Sequence, residues 1–294
     1  MYRIAHISDT HLSINADNHI IIFEKILRSI SQYRCNHLFI TGDISDTSLP
    51  EDFEIIRRLL KKYNYLDSDK LSVTIGNHDI FGGAERGDNV YLFPDKCRRT
   101  DYYFKIKQFR NFFRESFQKA IIPHKQRIFP FYKILNEHYA IIGINSVAQW
   151  SADKNPIASN GYIDGVNMKN ISNILSSEDF RNRIKIVLIH HQFYEPDLTV
   201  GDKVHNLWFY SERNTMKLHN KDEALQLFGT SGVNLVFHGH THLTNDYKIG
   251  KNIFINSSGC TVPFTDKKSY SYNIIDFNSS KKLKYKIIKV SVKI

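Results

Sequence analysis

The sequence predicts an α/β fold on three observations. Short apolar runs bounded by turn residues alternate with segments of helical period. The runs end repeatedly in glycine, acid or histidine, the residue types that α/β sheets carry at strand ends. No linker, low-complexity tract or internal repeat interrupts the pattern, so residues 1–294 read as one domain.

Taken in order, strands are predicted at Tyr2–Ile7, His37–Thr41, Leu71–Ile75, Tyr139–Ile144, Ile184–Ile189, Val233–Phe237 and Asn252–Ile255. Two more, Tyr270–Phe277 and Leu283–Val292, read as a hairpin around Asn278-Ser279-Ser280. Ile20, Ile21, Phe23, Ile26, Leu27 and Ile30 fit an amphipathic helix between the first two strands. Ile55, Ile56, Leu59 and Leu60 do so before the third strand, as do Met168, Ile171, Ile174 and Leu175 later. From Tyr91 to Lys133 the rhythm breaks into a segment dense in aromatic and basic residues. Its stripe of Ile106, Phe109, Phe113 and Phe117 suits a helix buried in the core. A lid or a contact between two subunits of a homodimer is the other reading.

Composition narrows the class. A hydrophobic content of 41% with 24% charged residues excludes wholesale disorder. A chain of 294 residues needs no disulfide or structural-metal staple. Its three cysteines (Cys35, Cys97, Cys260) are too scattered for a disulfide framework, which points to a reducing compartment. There is no apolar leader, and no run approaches the ~18–20 residues of a membrane span. A cytoplasmic protein is expected. The net charge of +10 is concentrated at the end: from Lys267 onward there are eight lysines and one acid, Asp276. Lysine on an edge hairpin discourages edge-to-edge pairing, whereas the same tail could bind nucleic acid.

The chemistry gathers at strand ends. Asp9-Thr10-His11 follows the first strand, Gly42-Asp43 the second and Gly76-Asn77-His78-Asp79 the third. His190-His191 and Gly239-His240-Thr241-His242 follow two later strands. Strand C-termini of an α/β sheet converge on one edge, so five separate elements offer carboxylate and imidazole to one place. Those donors suit Mn, Fe or Zn, and no cysteine stands near them to make a thiolate zinc site.

These ordered blocks resemble the motifs of the calcineurin-like metallophosphoesterases, most closely the bacterial cyclic-nucleotide phosphodiesterase branch. Where that branch usually continues the His-His pair with proline, this chain has Gln192-Phe193; where it often has Asp-Ser, this chain has Asn145-Ser146. The resemblance implies a four-layer αββα sandwich, two mixed β-sheets flanked by helices, around two divalent metal ions per chain. By motif, Asp9, His11 and His242 would bind one metal. Asn77, His190 and His240 would bind the other, with Asp43 bridging both. His78 would meet the substrate phosphate as the catalytic acid. Asp79 would orient His78 or cap the next turn, and His191 would support the shell or touch substrate. His238 reads as a strand-end histidine satisfied by the backbone, with a place beside the ligands as the alternative.

The expected reaction is phosphodiester hydrolysis by a hydroxide bridging the two metals. A cyclic nucleotide or related small phosphodiester is the first substrate expected. A nuclease, a lipid-linked pyrophosphate hydrolase and a non-catalytic scaffold are the other readings. A scaffold would be expected to lose ligands, and all seven are present.

Overall fold

The computed structural model describes residues 1–83, 91–124, 126–194, 216–242, 244–257, 269–278 and 283–293. Parallel strands buried on both faces need continuous apolar runs, and that is what the central strands carry. Strand β1 (Tyr2–Ile7) lies parallel to β2 (His37–Thr41), which lies parallel to β3 (Leu71–Thr74). Helices α1 (Asp17–Gln32) and α2 (Pro50–Lys62) make the crossovers. Pro50 opens α2, where its missing N–H costs nothing. The short α3 (Asn77–Phe81) follows β3 directly.

The aromatic and basic segment forms α4 (Phe93–Arg99), α5 (Tyr102–Phe112) and α6 (Arg114–Phe117). It then enters β4 (Phe131–Ile134), a strand not anticipated from the sequence. The stripe predicted on one helix is split between α5 and α6, but Ile106, Phe109, Phe113 and Phe117 are all buried against the first sheet. The core reading of that stripe therefore describes it.

After β5 (Tyr139–Gly143) come α7 (Gly165–Leu175), α8 (Glu178–Arg181) and β6 (Ile184–Leu188). Helix α9 (Lys221–Thr230) leads to β7 (Leu235–His238). Strands β8 (Asn245–Ile249) and β9 (Asn252–Asn256) follow, then β10 (Ser269–Phe277) and β11 (Tyr285–Lys293). Of the expected hairpin, the two strands pair antiparallel, while residues 279–282 of its turn lie outside the described residues, as does Cys260.

The strands make two mixed sheets, ordered β11-β10-β1-β2-β3 and β4-β5-β6-β7-β9-β8. Three apolar layers separate four structural ones. Helices α1 and α2 bury Phe23, Ile26, Phe53 and Ile56 on the first sheet. Ile171, Leu175, Phe180 and Phe228 cover the second sheet from outside. Between the sheets lie Phe39, Ile141, Ile186, Leu188, Phe237 and Ile275. The architecture is the four-layer αββα sandwich. No described helix is long and apolar enough to cross a membrane.

Candidate metal centre

The parallel strands of both sheets point their C-terminal ends at one seam. β1, β2 and β3 deliver Asp9, His11, Asp43, Asn77 and His78; β6 and β7 deliver His190, His240 and His242. The loops are laced together by backbone hydrogen bonds: Asp9 N–H donates to Gly42 O, His11 N–H to Asp43 O, and Gly239 N–H to His190 O, at 3.0, 3.0 and 3.1 Å.

Space for this convergence depends on glycines at the seam, Gly42, Gly76 and Gly239. Gly42 has φ +92°, and a Cβ there would lie 2.6 Å from His190 Nδ1. A Cβ on Gly76 would overlap the carboxylate and backbone nitrogen of Asp43. Only glycine lets these backbones approach so closely.

Two clusters result. In one, His11 Nε2 lies 3.1 Å from His242 Nε2, and His242 Nε2 lies 3.5 Å from Asp9 Oδ1. In the other, His190 Nε2 lies 3.0 Å from His240 Nδ1, 3.2 Å from Asn77 Oδ1 and 3.3 Å from Asp43 Oδ2. Asp43 Oδ2 is also 3.8 Å from His11 Nε2, which places it between the clusters. All seven residues that the sequence nominated as ligands are thus brought together.

The donor set fits metal. With metal–nitrogen bonds of ~2.0–2.1 Å, neighbouring ligand atoms around one ion lie about 3.0–3.4 Å apart; the second cluster has that spacing, at 3.0–3.3 Å, and the first is looser, at 3.1–4.0 Å. Two His-Asp groups, Asp9-His11-His242 and Asp43-His190-His240, have the compactness of ion sites, and His11, Asp43 and His78 form a third overlapping group. Asp9, His11, Asp43, His240 and His242 all have positive φ, from 41° to 74°. Such backbone costs of order 1–3 kcal/mol per residue and concentrates where function over-determines geometry.

Electrostatics follows from burial and the two carboxylates. Burial opposes a charge on His190, but Asp43 outweighs it and raises the imidazole to about 9. Burial resists ionisation of Asp43 too, and the surrounding His190 and His78 hold it well below the usual carboxylate range. Burial keeps His242 neutral, at about 3, and lowers His240 as well. Neutral imidazole is the form that ligates metal.

His78 differs from the other histidines. Its backbone N–H donates to Asp43 Oδ1 at 2.8 Å, and its ring Nδ1 lies 3.2 Å from both the backbone carbonyl and the carboxylate of Asp46. Nε2 is the nitrogen left for a ligand. Burial alone would lower its pKa, but Asp43 and the Asp46 hydrogen bond raise it to about 9. Asp79 neither touches His78's ring nor merely caps: its carboxylate accepts from the N–H groups of Ile44, Ser45 and Gly76, each at 2.9 Å, and so fixes the loop carrying Asp43. His191 bonds through Nδ1 to Ser146 Oγ and through Nε2 to Ser159 O, with its ring against His240. His238 is satisfied by Gly239 O and the Tyr247 hydroxyl.

Sequence reasoning missed Asp46. One of its carboxylate oxygens lies 3.3 Å from His11 Nδ1 and 3.2 Å from His78 Nδ1, joining a nominated ligand to the nominated acid. An acid three residues beyond Asp43, in the same loop, was the available signal.

A mixed αββα sandwich with paired His-Asp clusters at its strand-end seam defines the class. The chain belongs to the calcineurin-like phosphoesterase family, whose defining sequence pattern matches residues 2–243. Among solved structures, it is similar to a dimetal phosphatase from Danio rerio, at 9% identity and a TM-score of 0.66 over 99% of this chain and 98% of that one. It is also similar to a purple acid phosphatase from yellow lupin seeds, at 9% identity and a TM-score of 0.52, covering 99% of this chain and 51% of that one. These likenesses are of fold. No curated protein matches the sequence.

Proposed function

We propose that this protein is a two-metal phosphodiesterase acting on small phosphodiesters, cyclic nucleotides among them. The observation that carries the reading is Asp43, whose Oδ2 lies within 4 Å of histidines from both clusters. Asp9, His11 and His242 would hold one divalent ion, and Asn77, His190 and His240 the other, with Asp43 contributing to both. Ions bound there supply an activated water and neutralise charge on the phosphoryl oxygens. Mixed oxygen and nitrogen donors accept Mn, Fe or Zn.

The protein's own groups supply the rest. Asp46 holds the His78 proton-bearing Nδ1, so Nε2 faces the centre and donates to a phosphate oxygen or to the departing alkoxide. The side chains of His78 and His242 are 25% and 22% exposed while Asp9, Asp43 and His190 are buried, so substrate enters on their side. His191 and Asp79 position the centre from behind.

The test is metal-reconstituted protein against cyclic nucleotides, nucleoside monophosphates, single-stranded DNA and an aryl phosphodiester. Metal-dependent turnover of the small diesters, above that of monoesters and DNA, is expected. Turnover confined to DNA would replace the reading with a nuclease.

A further inference from the structure

A cavity of about 760 Å³ is connected to the metal centre through Tyr102, and its size falls within the ~300–1,000 Å³ span of small-molecule sites. None of the nominated ligands lines it. Its walls are helix α5, the chain before β4, the segment after β5 and the entry to α7. Tyr102 ties it to the centre twice. Its ring lies 6.2 Å from that of Phe81 in α3, the helix that begins with Asn77 and His78. Its hydroxyl donates to Val147 O and accepts from Asn145, one residue before the Ser146 that bonds His191.

Three features of the lining specify a ligand. Arg127 is neutralised by Asp164 at 2.7 Å, but Lys107 and Arg110, one turn apart on α5, have no acidic partner among the described residues. Tyr103 and Tyr162 present rings that are 60% and 49% exposed, and Gln149 fixes the Tyr103 hydroxyl at 2.8 Å. Asparagine and glutamine amides fill the wall between, which suits hydrogen bonding to a heterocycle and opposes an acyl chain.

We infer that this cavity is a binding site for an aromatic ring joined to an anionic group, a nucleotide phosphate by chemistry, and that it holds the part remote from the scissile bond in those small diesters that carry a second phosphate, a dinucleotide rather than a cyclic nucleotide. The second half of this inference rests on the phosphodiesterase reading. Lys107 and Arg110 take the anion; Tyr103 and Tyr162 take the ring by stacking, which tolerates any base.

The test is calorimetric titration of the full chain in chelator with AMP and with ribose 5-phosphate, which lacks the ring. One AMP per chain is expected, bound at least tenfold more tightly than ribose 5-phosphate. Lys107→Glu with Arg110→Glu should weaken both ligands at least tenfold. Tyr103→Ala with Tyr162→Ala should erase the preference for AMP. All four side chains are at the surface, and Lys107→Gln with Arg110→Gln checks that a fold change is not responsible. AMP affinity indifferent to either pair overturns the proposal, as does an effect of the basic pair alone or no binding at millimolar AMP. Because metal is absent throughout, failure here leaves hydrolysis untouched, and inactive metal-loaded protein leaves this binding result standing.

Discussion

Asp46 shows how one carboxylate can serve two imidazoles with different tasks. Holding Nδ1 of both His11 and His78, it fixes ring orientation at a nominated ligand and at a nominated proton donor. Outer partners of this kind change metal affinity or activity by ~10–100-fold. Asp46→Asn should therefore lower turnover by about that factor and weaken uptake of one ion, measured by steady-state kinetics alongside metal titration. His78→Ala should behave differently. Although His78 falls within reach of His11 and Asp43 in a third compact group, its ring is committed to Asp46. We expect two ions per chain to remain by elemental analysis, with turnover down ~10²–10⁴-fold. Loss of an ion would make His78 a ligand instead. Gly76→Ala tests the cradle itself: its methyl group would occupy the place of the Asp43 carboxylate, so metal content should fall even though a small residue has replaced a smaller one.

At the scale of elements, β4 carries an unusual burden. Lys133 is 3% exposed, and its ammonium donates to the carbonyls of Leu71 and Ser68 at 2.7 and 3.2 Å. Burial lowers it to about 7, against an ordinary 10.5. Between those values the unfolded chain holds a proton that the folded chain releases, so this lysine makes stability rise as pH climbs from about 7 toward 10.5. Lys133→Met should remove that rise. Urea unfolding at pH 7 and pH 9 should show the gap between variant and parent shift by about 2 kcal/mol in the parent's favour at the higher pH. Other groups titrate equally in both proteins and cancel. The same strand marks where the sequence stopped being readable. β1, β2 and β10 announce themselves as apolar runs with clean borders, and the five chemical blocks stand directly behind such runs. β4 hides among aromatics whose neighbours Phe117 and Phe129 belong to a helix and a loop, and β8, Asn-Asp-Tyr-Lys-Ile, is an edge strand with one half-buried face. Asp46 was harder to read for a different reason: its role depends on how the loop of residues 42–49 curls, which no periodicity encodes.

For the whole molecule, the decisive fact is that the nominated ligands come from both sheets. Ions bound at the seam add to the apolar contacts and the hydrogen bonds, such as Lys133 to Leu71 O, that already join the layers, and a ligand that binds only the folded state stabilises it by ~2.7 kcal/mol at a hundredfold excess over its dissociation constant. Adding Mn to chelated protein should raise the thermal midpoint by several degrees, and Asp43→Asn should abolish most of that rise in calorimetry. An unchanged midpoint in the parent would argue against a binuclear centre. The first sheet adds a constraint in time. β1, which leads into Asp9, has β10 as its neighbour on one side, with Ile4 opposite Ile275 and Ala5 opposite Ile274. A growing polypeptide releases β1 long before β10, at roughly 5–20 residues per second. For many seconds of synthesis, then, the strand that aims the first nominated ligand is an open edge, and the last, His242, has not left the ribosome. A nascent chain halted before β10 should capture neither ion in stable form, because the strand that closes this edge is still missing.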